Sequence, residues 1–416
     1  MVNKKILVIG LMLCSLKVPA SKTSTSDVEA DAFKATAILV TDTLNSNPGI
    51  RSGQAALDVA TAREQANNQP LYNPELEIEA EDAVDQSVSV GISQTFDWRN
   101  KRGARSGIAS FEREAAVAEL HQLRQSLAFE LLGAITRHDV VNRLSTLANE
   151  RERLMREFAA LASQRRDLGD LNQVEFDLAQ LALAEAQLQL ADTAIRLSEA
   201  TQALKAIIGD KELSLSPLPA TPPNVSISTP DLEDILYSLP GIRVQLARIA
   251  AAKGVVKLRS LEKYPDPTVG VRVGQEESEV LAGVTVSIPL YIRNRFKAEI
   301  DVADAELIQL EMEGQDMYQR AHAQLVTSLE RYRLAENAWM NWVETGQPSL
   351  GNQLNVLERL WRAGEISTTD YLVQVNQTLD TRTAAAELRG RVWLSWFDWL
   401  AASGQVEEWL NLSAAK

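Results

Sequence analysis

Cysteine is almost absent from this sequence of 416 residues, in which Cys14 is the single example. Cys14 lies in an apolar run over residues 6–16, which follows two lysines and precedes Val18-Pro19-Ala20, in the order of a secretory signal. We therefore predict that residues 1–20 are a signal peptide. The mature chain would then have no disulfide, no thiol chemistry and no cysteine metal site.

Residues with catalytic or metal-binding chemistry are also scarce. The three histidines, His121, His138 and His322, fall in predicted long helices, and none has a second histidine four positions away, as metal chelation from one helix face requires. The sequence has no phosphate-binding glycine loop, no GxSxG motif and no EF-hand loop. These absences predict a protein that is not an enzyme and that has no cofactor and no metal site.

Positive charge is in the minority, since the formal net charge is −14. Such an acidic excess opposes binding to the phosphate backbone of nucleic acid, so no nucleic-acid partner is expected. After residue 20, no apolar run reaches the ~18 residues that indicate a membrane-spanning helix. The mature chain is therefore expected to be either soluble or embedded in a membrane by another structure.

Proline is missing from residues 100–209, where the composition of Ala, Leu, Glu, Gln and Arg favours helix. The strongest interruption is Leu168-Gly169-Asp170. We predict a helical hairpin over 100–208 with its tip at 168–170. Its first helix would have roughly 68 residues and a length of about 100 Å, and its second helix about 37 residues.

The chain repeats itself. Residues 44–51 return 192 residues later at 236–243, with Leu, Ser and Pro-Gly-Ile-Arg at matching positions. The duplication predicts a first repeat over 21–209 and a second over 231–404, joined by a proline-rich linker at 210–230. The second helical hairpin would span 294–403 with its tip at 363–365, and a C-terminal tail would follow at 405–416. Gly346 and Pro348 predict a kink in its first helix.

Period-two alternation predicts one β-hairpin in each repeat, over residues 75–96 and 268–289. In each strand one face is apolar and the other is polar or small. A sheet on a soluble core would give the same alternation. We favour a membrane β-barrel, because isolated hairpins are marginal in water and the strands approach the ~9–11 residues that cross a bilayer. Four strands cannot close a water-filled barrel, so several chains would have to contribute.

The returning helix of the first hairpin has two apolar series with a period of seven. The series are Phe176, Leu183, Leu190, Leu197 and Leu204, and Val174, Leu181, Leu188 and Ile195. An offset of two residues places them on nearly opposite sides of a helix. This pattern predicts one helix in a wall, with a neighbour on each side; a helix buried in a soluble bundle is the alternative.

In its order of motifs the sequence resembles the TolC-like outer membrane factors, the exit ducts of bacterial tripartite efflux pumps and type I secretion. The motifs are Asn47-Pro48, Asn73-Pro74-Glu75-Leu76, Leu239-Pro240, Ile288-Pro289-Leu290-Tyr291, Arg293-Asn294-Arg295, Arg362-Ala363-Gly364-Glu365-Ile366-Ser367 and Asp370-Tyr371-Leu372. Residues 93–96 followed by 101–105 look more like the CzcC-type cation-efflux branch than the drug-efflux branch.

The resemblance implies a homotrimer in the outer membrane of a Gram-negative bacterium. Its twelve strands would form one lipid-facing barrel, and its helices would continue this barrel as a tunnel across the periplasm. A periplasmic adaptor would bind at the tips and would connect the tunnel to an inner-membrane RND-type pump. The tip residues are Leu168, Gly169 and Asp170 in the first repeat and Arg362, Ala363, Gly364 and Glu365 in the second. By the same resemblance, Asp370 and its counterpart Glu175 would contribute to an acidic gate.

We therefore expect a passive efflux channel that conducts heavy-metal cations. The same channel serving drug efflux or type I protein secretion is one alternative. A soluble periplasmic coiled-coil scaffold, in which nothing crosses the membrane, is an alternative of another class.

Overall fold

The computed structural model describes residues 25–82, 86–209, 215, 217–222, 232–276, 279–350 and 353–414. It is mainly helical with one small antiparallel sheet, which confirms the predicted fold class. The first repeat contains α1 (Thr25–Ser46), α2 (Pro48–Asn67), β1 (Glu75–Asp82), β2 (Gln86–Thr95), α3 (Lys101–Asp167) and α4 (Gln173–Ile208). The second contains α5 (Leu232–Ser238), α6 (Pro240–Glu262), β3 (Thr268–Glu276), β4 (Glu279–Ser287), α7 (Lys297–Asn341), α8 (Gln347–Leu350), α9 (Gln353–Arg362) and α10 (Thr368–Ala402), and α11 (Val406–Ala414) ends the described chain.

The sheet joins the hairpins of the two repeats in the order β1-β2-β3-β4, and every pair is antiparallel. Its register aligns Leu76, Ile92, Val271 and Val284 in one apolar row, and the next row contains Glu77, Gly91, Arg272 and Gly283. Because successive side chains of a strand point to opposite faces, one face of the sheet is apolar and the other carries charges. β1 and β4 are the two edge strands.

α3 is one helix of 67 residues. Asn100 begins it, with its side chain accepting a hydrogen bond from the Gly103 N–H at 3.1 Å. No proline interrupts the helix, so it continues for about 100 Å at ~1.5 Å per residue. One end of α3 therefore lies beside the sheet and the other lies at the far end of the molecule.

The long helices form a wall with α3 at its centre. α3 packs against α2 and α4 on one side and against α6 and α10 on the other, and α7 packs against α6 and α10. The wall therefore has two lateral edges, one formed by α2 and α4 and the other by α7 and, near the turns, by α9. Within the described part of the chain, no helix is apolar enough over a sufficient length to span a lipid bilayer.

Two apolar cores stabilise the wall. The belt core joins α1 and α11 to the middle of α3 and to α10, and it buries Trp393, Trp396 and Phe397. The tip core lies near the helical turns and contains Phe158, Trp361 and Tyr371. The C-terminal tryptophans therefore pack against the helices in the belt core.

The second repeat departs from a regular hairpin where the sequence predicts a kink. A π-helical segment, Trp342–Gly346, follows α7 and leads into α8, which contains Pro348. Proline has no N–H to donate and disrupts regular helical hydrogen bonding. The first helix of this hairpin also begins at Lys297, three residues after the predicted start.

The segment predicted as a C-terminal tail, residues 405–416, contains α11. Val406 and Leu410 are buried in the belt core, and Glu407 pairs with Arg124 of α3 at 2.7 Å. Apolar residues four positions apart give this short helix a face that packs on the wall. The predicted signal peptide and most of the predicted linker lie outside the described residues.

Candidate functional site

The first helical turn is built around Gly169, whose φ is +84°. Its N–H donates to the carbonyl oxygen of Arg166 at 2.9 Å, and the N–H of Asp170 donates to that of Arg165 at 2.9 Å. These two bonds satisfy carbonyl groups that the end of α3 would otherwise leave free. Glycine suits this position because a positive φ is unfavourable for residues with a Cβ atom.

The second turn has the same construction. Gly364 has a φ of +76°, and its N–H donates to the carbonyl oxygen of Trp361 at 3.0 Å. The N–H of Glu365 donates to the carbonyl oxygen of Leu360 at 2.9 Å. The two repeats therefore end in matching turns at the end of the wall far from the sheet.

The seven predicted tip residues lie at these two turns, and all seven are exposed. Leu168 is the most hydrophobic of them, and 77% of its surface is accessible. The structure also brings the two turns together, since Arg165 donates to the carbonyl oxygens of Trp361 at 3.3 Å and of Arg362 at 3.0 Å. The tips thus form one continuous surface.

The tip core supports both turns from below. Trp361 stacks on Tyr371 with a ring-centroid distance of 5.0 Å and lies 4.6 Å from Phe158. Burial raises the pKa of Tyr371 to about 12, with the nearby charge of Glu358 acting in the same direction, so its phenol is neutral at physiological pH. The guanidinium of Arg165 covers the other side of the cluster, 5.0 Å from the Trp361 ring.

The two predicted gate residues begin the returning helices. Glu175 donates its N–H to the side chain of Asn172 at 2.9 Å, and its carboxylate accepts from the Asn172 N–H at 3.4 Å. Asp370 donates its N–H to the Ser367 hydroxyl at 3.1 Å, and that hydroxyl donates to the Asp370 carboxylate at 2.7 Å. Both carboxylates therefore stabilise a helix N-terminus.

The two apolar series of α4 have different environments. The series from Phe176 to Leu204 is buried or half-buried against α3. The opposite series is exposed, with 69% of Val174, 65% of Leu181, 73% of Leu188 and 60% of Ile195 accessible. A regular apolar row on a lateral edge of the wall is thus left without a neighbour in a single chain.

The sheet has the same property. The apolar row of Leu76, Ile92, Val271 and Val284 is at least half exposed at every position. On the opposite face, Glu77 accepts a hydrogen bond from Ser93 at 2.7 Å, and Arg272 lies 3.9 Å from Glu79. Among the described residues, no group of histidine, cysteine, aspartate and glutamate is arranged to hold a metal ion.

Comparison with known families identifies this architecture. The family model described as outer membrane efflux protein matches residues 39–210. The matched residues correspond to the first repeat. Members of this family are channels and not enzymes, so the prediction that the protein is not an enzyme is confirmed, and the match supports an outer-membrane efflux channel. No curated protein gives a significant sequence match.

Solved channel structures share the fold. The outer-membrane channel OprN is 17% identical and superposes with a TM-score of 0.75 over 91% of this chain and 92% of its own. The CmeC outer membrane channel of Campylobacter jejuni is 14% identical, with a TM-score of 0.74 over 97% and 94%. The open state of the MtrE outer membrane channel of Neisseria gonorrhoeae is 16% identical, with a TM-score of 0.74 over 89% and 88%.

Sequence reasoning missed how the tips are joined. Arg165 and Trp361 are almost 200 positions apart, and their contact depends on how α3 and α9 lie in the wall. The usable signal was the position of the two residues, because each lies three or four positions before a turn glycine. Their closeness to the turn glycines could have predicted that both side chains lie beneath the turns.

Proposed function

We propose that three copies of this chain close into one tube that conducts solutes out of the periplasm. Each copy would supply four strands to a twelve-stranded, lipid-facing barrel. The helical walls would continue this barrel as a tunnel with the turns at its periplasmic end. A tube of this kind imposes no covalent chemistry on its cargo, and the energy for transport would come from its partners.

The exposed apolar series of α4 carries the proposal. Burying a large apolar side chain stabilises a protein by about 1.5–3 kcal/mol, so four such residues in a row favour a second helix against them. The seven-residue spacing requires that this partner be a long helix running alongside α4. The other lateral edge provides such helices in a second copy: α9, with Val356 exposed near the turns, and the end of α7, with Leu334 exposed near the belt core.

The strand edges support the same closure. β1 and β4 are the edges of the sheet, and each would leave backbone N–H and C=O groups unpaired in a single copy. Pairing β4 of one copy with β1 of the next would satisfy these groups. Because the same copy would then use both of its edges, the contact is heterologous and can close into a ring.

Charged substitutions on the exposed series test the tube. We expect Leu181→Glu with Leu188→Glu to abolish the heat-sensitive trimer in outer-membrane preparations, because carboxylates would face an apolar neighbour. Gln180→Glu with Gln187→Glu is the matched control, since it adds the same charge on a polar face of α4 and should leave the trimer intact. A wild-type mature chain that is monomeric and monodisperse without detergent would contradict the tube and would favour the periplasmic scaffold.

We propose that the turns bind a periplasmic adaptor that connects the tube to an inner-membrane RND-type pump. Their exposure at the far end of the wall and the contact between Arg165 and the second turn support a shared docking surface. Leu168 offers an apolar side chain for such a contact. Crosslinking from position 168 to a co-expressed adaptor would test the assignment, with the exposed but distant position 320 as the control.

We also propose that Asp370 and Glu175 form an acidic constriction. Their capping role means that alanine substitutions would disturb the helix starts together with any gate. Asp370→Asn with Glu175→Gln removes the charge and keeps hydrogen-bonding side chains at both positions. We expect a higher single-channel conductance in planar bilayers and nearly unchanged thermal stability. Unchanged conductance would limit both residues to capping.

Heavy-metal cations are the proposed cargo. The glutamates of β1 face the same side of the sheet as Ser93 and Arg272, which would be the inside of the barrel and would attract cations. Increased zinc, copper or cobalt sensitivity of a strain lacking this chain would support cation export. A change confined to drug sensitivity or to polypeptide secretion would support the alternatives.

A further inference from the structure

The wall has two chemically different faces at the level of the belt core. Asp139 of α3 and Arg389 of α10 form an ion pair at 2.6 Å, and Arg389 also donates to the carbonyl oxygens of Leu218 and Pro219. The linker residues that the structure describes therefore cover the face of the wall on which Asp139 and Arg389 lie. We refer to this face as the outer face.

Two further arginines lie on the opposite face. Arg137 is two positions from Asp139, and Arg391 is two positions from Arg389. Two positions correspond to about 200° around a helix, so both side chains point away from the linker. The same relation in two neighbouring helices puts two guanidinium groups on one side of the wall.

These side chains line a groove of about 550 Å³ between α3, α4 and α10. Arg196 of α4 is the third arginine of the groove, and Val140 and Leu394 contribute apolar surface. A Cβ atom at Gly390 would lie 2.3 Å from the Val140 side chain. Glycine therefore allows α3 and α10 to approach closely at this level.

The arginines are poorly neutralised. Within the described part of the chain, no carboxylate lies within ion-pair distance of Arg137 or Arg391, and Arg196 reaches Asp192 only at 3.9 Å. Glu199 and Glu387 also line the groove, so the lining itself has three positive charges and two negative ones, whereas Asp192 is not among the lining residues. This is an excess of positive charge in a chain whose net charge is −14.

We propose that the groove is a binding site for small amphipathic anions. The apolar body would lie against Val140 and Leu394, and a carboxylate, sulfonate or phosphate head would contact the arginines. Guanidinium groups match such anions through paired N–H donors. The location of this site in the channel rests on the proposed tube. If the walls of three copies close with the linker on the outside, the groove of each copy faces the lumen.

Blocking of the channel current tests the site. The probe is 8-anilinonaphthalene-1-sulfonate, added to the wild-type protein in planar bilayers, and N-phenyl-1-naphthylamine is the matched probe without the sulfonate. We expect the sulfonate to reduce the open-channel current and the neutral amine to have little effect. In the Arg137→Gln, Arg196→Gln, Arg391→Gln variant, the half-blocking concentration of the sulfonate should rise at least about tenfold, since charge-assisted hydrogen bonds are lost. All three side chains are exposed, so the fold should be unaffected.

Arg143→Gln is the control, because it removes one positive charge at the same level on the outer face, where Arg143 pairs with Asp139 at 3.0 Å. Block of this variant should match that of the wild type. Equal block of the triple variant, or equal block by the neutral amine, would overturn the proposal. A wild-type chain without any channel current would contradict the tube instead. The groove would then be tested by fluorescence titration of the same sulfonate with wild-type and triple-variant protein in nonionic detergent, where equal affinities would overturn it.

Discussion

α3 and α7 are the long helices that follow the hairpin of each repeat, and they differ in how far they are buried. α3 has buried side chains along its length, from Lys101 near the sheet to Ala162 near the first turn. The buried residues of α7 are Ala303, Leu325, Ser328, Tyr332 and Trp339. α3 is also continuous for 67 residues, whereas α7 ends after 45 residues in a π-helical segment.

This difference follows from position in the wall. α3 lies in the centre, where helices pack on both of its sides, so its buried side chains must fit two neighbours. α7 lies at a lateral edge and keeps apolar residues such as Leu334 exposed. The corresponding helices of the two repeats thus have different positions, α3 at the centre of the wall and α7 at its edge. Substitutions in these two helices should therefore differ in how much they destabilise a single chain.

The largest effect is expected from Phe158→Ala in α3. Phe158 is 2% exposed and contacts both Trp361 and Tyr371, so its removal leaves a cavity in the tip core. We expect a loss of about 3–5 kcal/mol in the free energy of unfolding of this region. Hydrogen exchange of the amides around both turns would measure the loss, and both turns should be affected.

Leu334→Ala in α7 is the matched substitution at the edge. Leu334 is 72% exposed, so the change should be within about 0.5 kcal/mol in an isolated chain. Under the proposed closure it should instead lower the temperature at which the trimer dissociates. Equal destabilisation by the two alanines within a single chain would remove the distinction between central and lateral helices.

The sequence predicted the helices and strands well, but it did not predict which helices pack against each other. Alternation over 75–96 and 268–289 predicted the strands, and missing proline predicted the long helices, because both signals depend on local side-chain spacing. The two apolar series of α4 even predicted two neighbours. The helix that packs against each series is determined by the packing of the whole wall, so it cannot be predicted from local residue spacing.

The candidate site shows the same limit. The turn glycines and the capping residues could be located because turns and caps depend on a few adjacent residues. The contact of Arg165 with Trp361, and the grouping of Arg137 with Arg391, join residues from different repeats or helices. These contacts depend on how α3 packs against the second hairpin. The pattern of residues along the sequence does not show which positions of the two meet.

Two glycines provide a finer test of the comparison. A Cβ atom at Gly346, in the π-helical segment after α7, would lie 2.2 Å from the Trp342 ring, whereas at Gly107 of α3 it would meet nothing within 4 Å. We expect Gly346→Ala to destabilise the protein by about 1–3 kcal/mol through overpacking. Gly107→Ala should stabilise it by about 0.5–1 kcal/mol through helix propensity. Urea denaturation would measure both, and a stabilising Gly346→Ala would show that the π-helical segment repacks freely.

At the turn glycines the two repeats should behave alike. Gly169 and Gly364 both have positive φ, and a Cβ atom at either position would meet nothing within 4 Å. Alanine should therefore cost about 1 kcal/mol at each turn, from backbone conformation alone. Asparagine should cost less, because it tolerates this conformation better. Thermal unfolding of the four variants would check the expectation. A much larger cost at Gly364 than at Gly169 would mean that the break after α7 weakens the second turn, so that the difference between the two long helices extends to the tips.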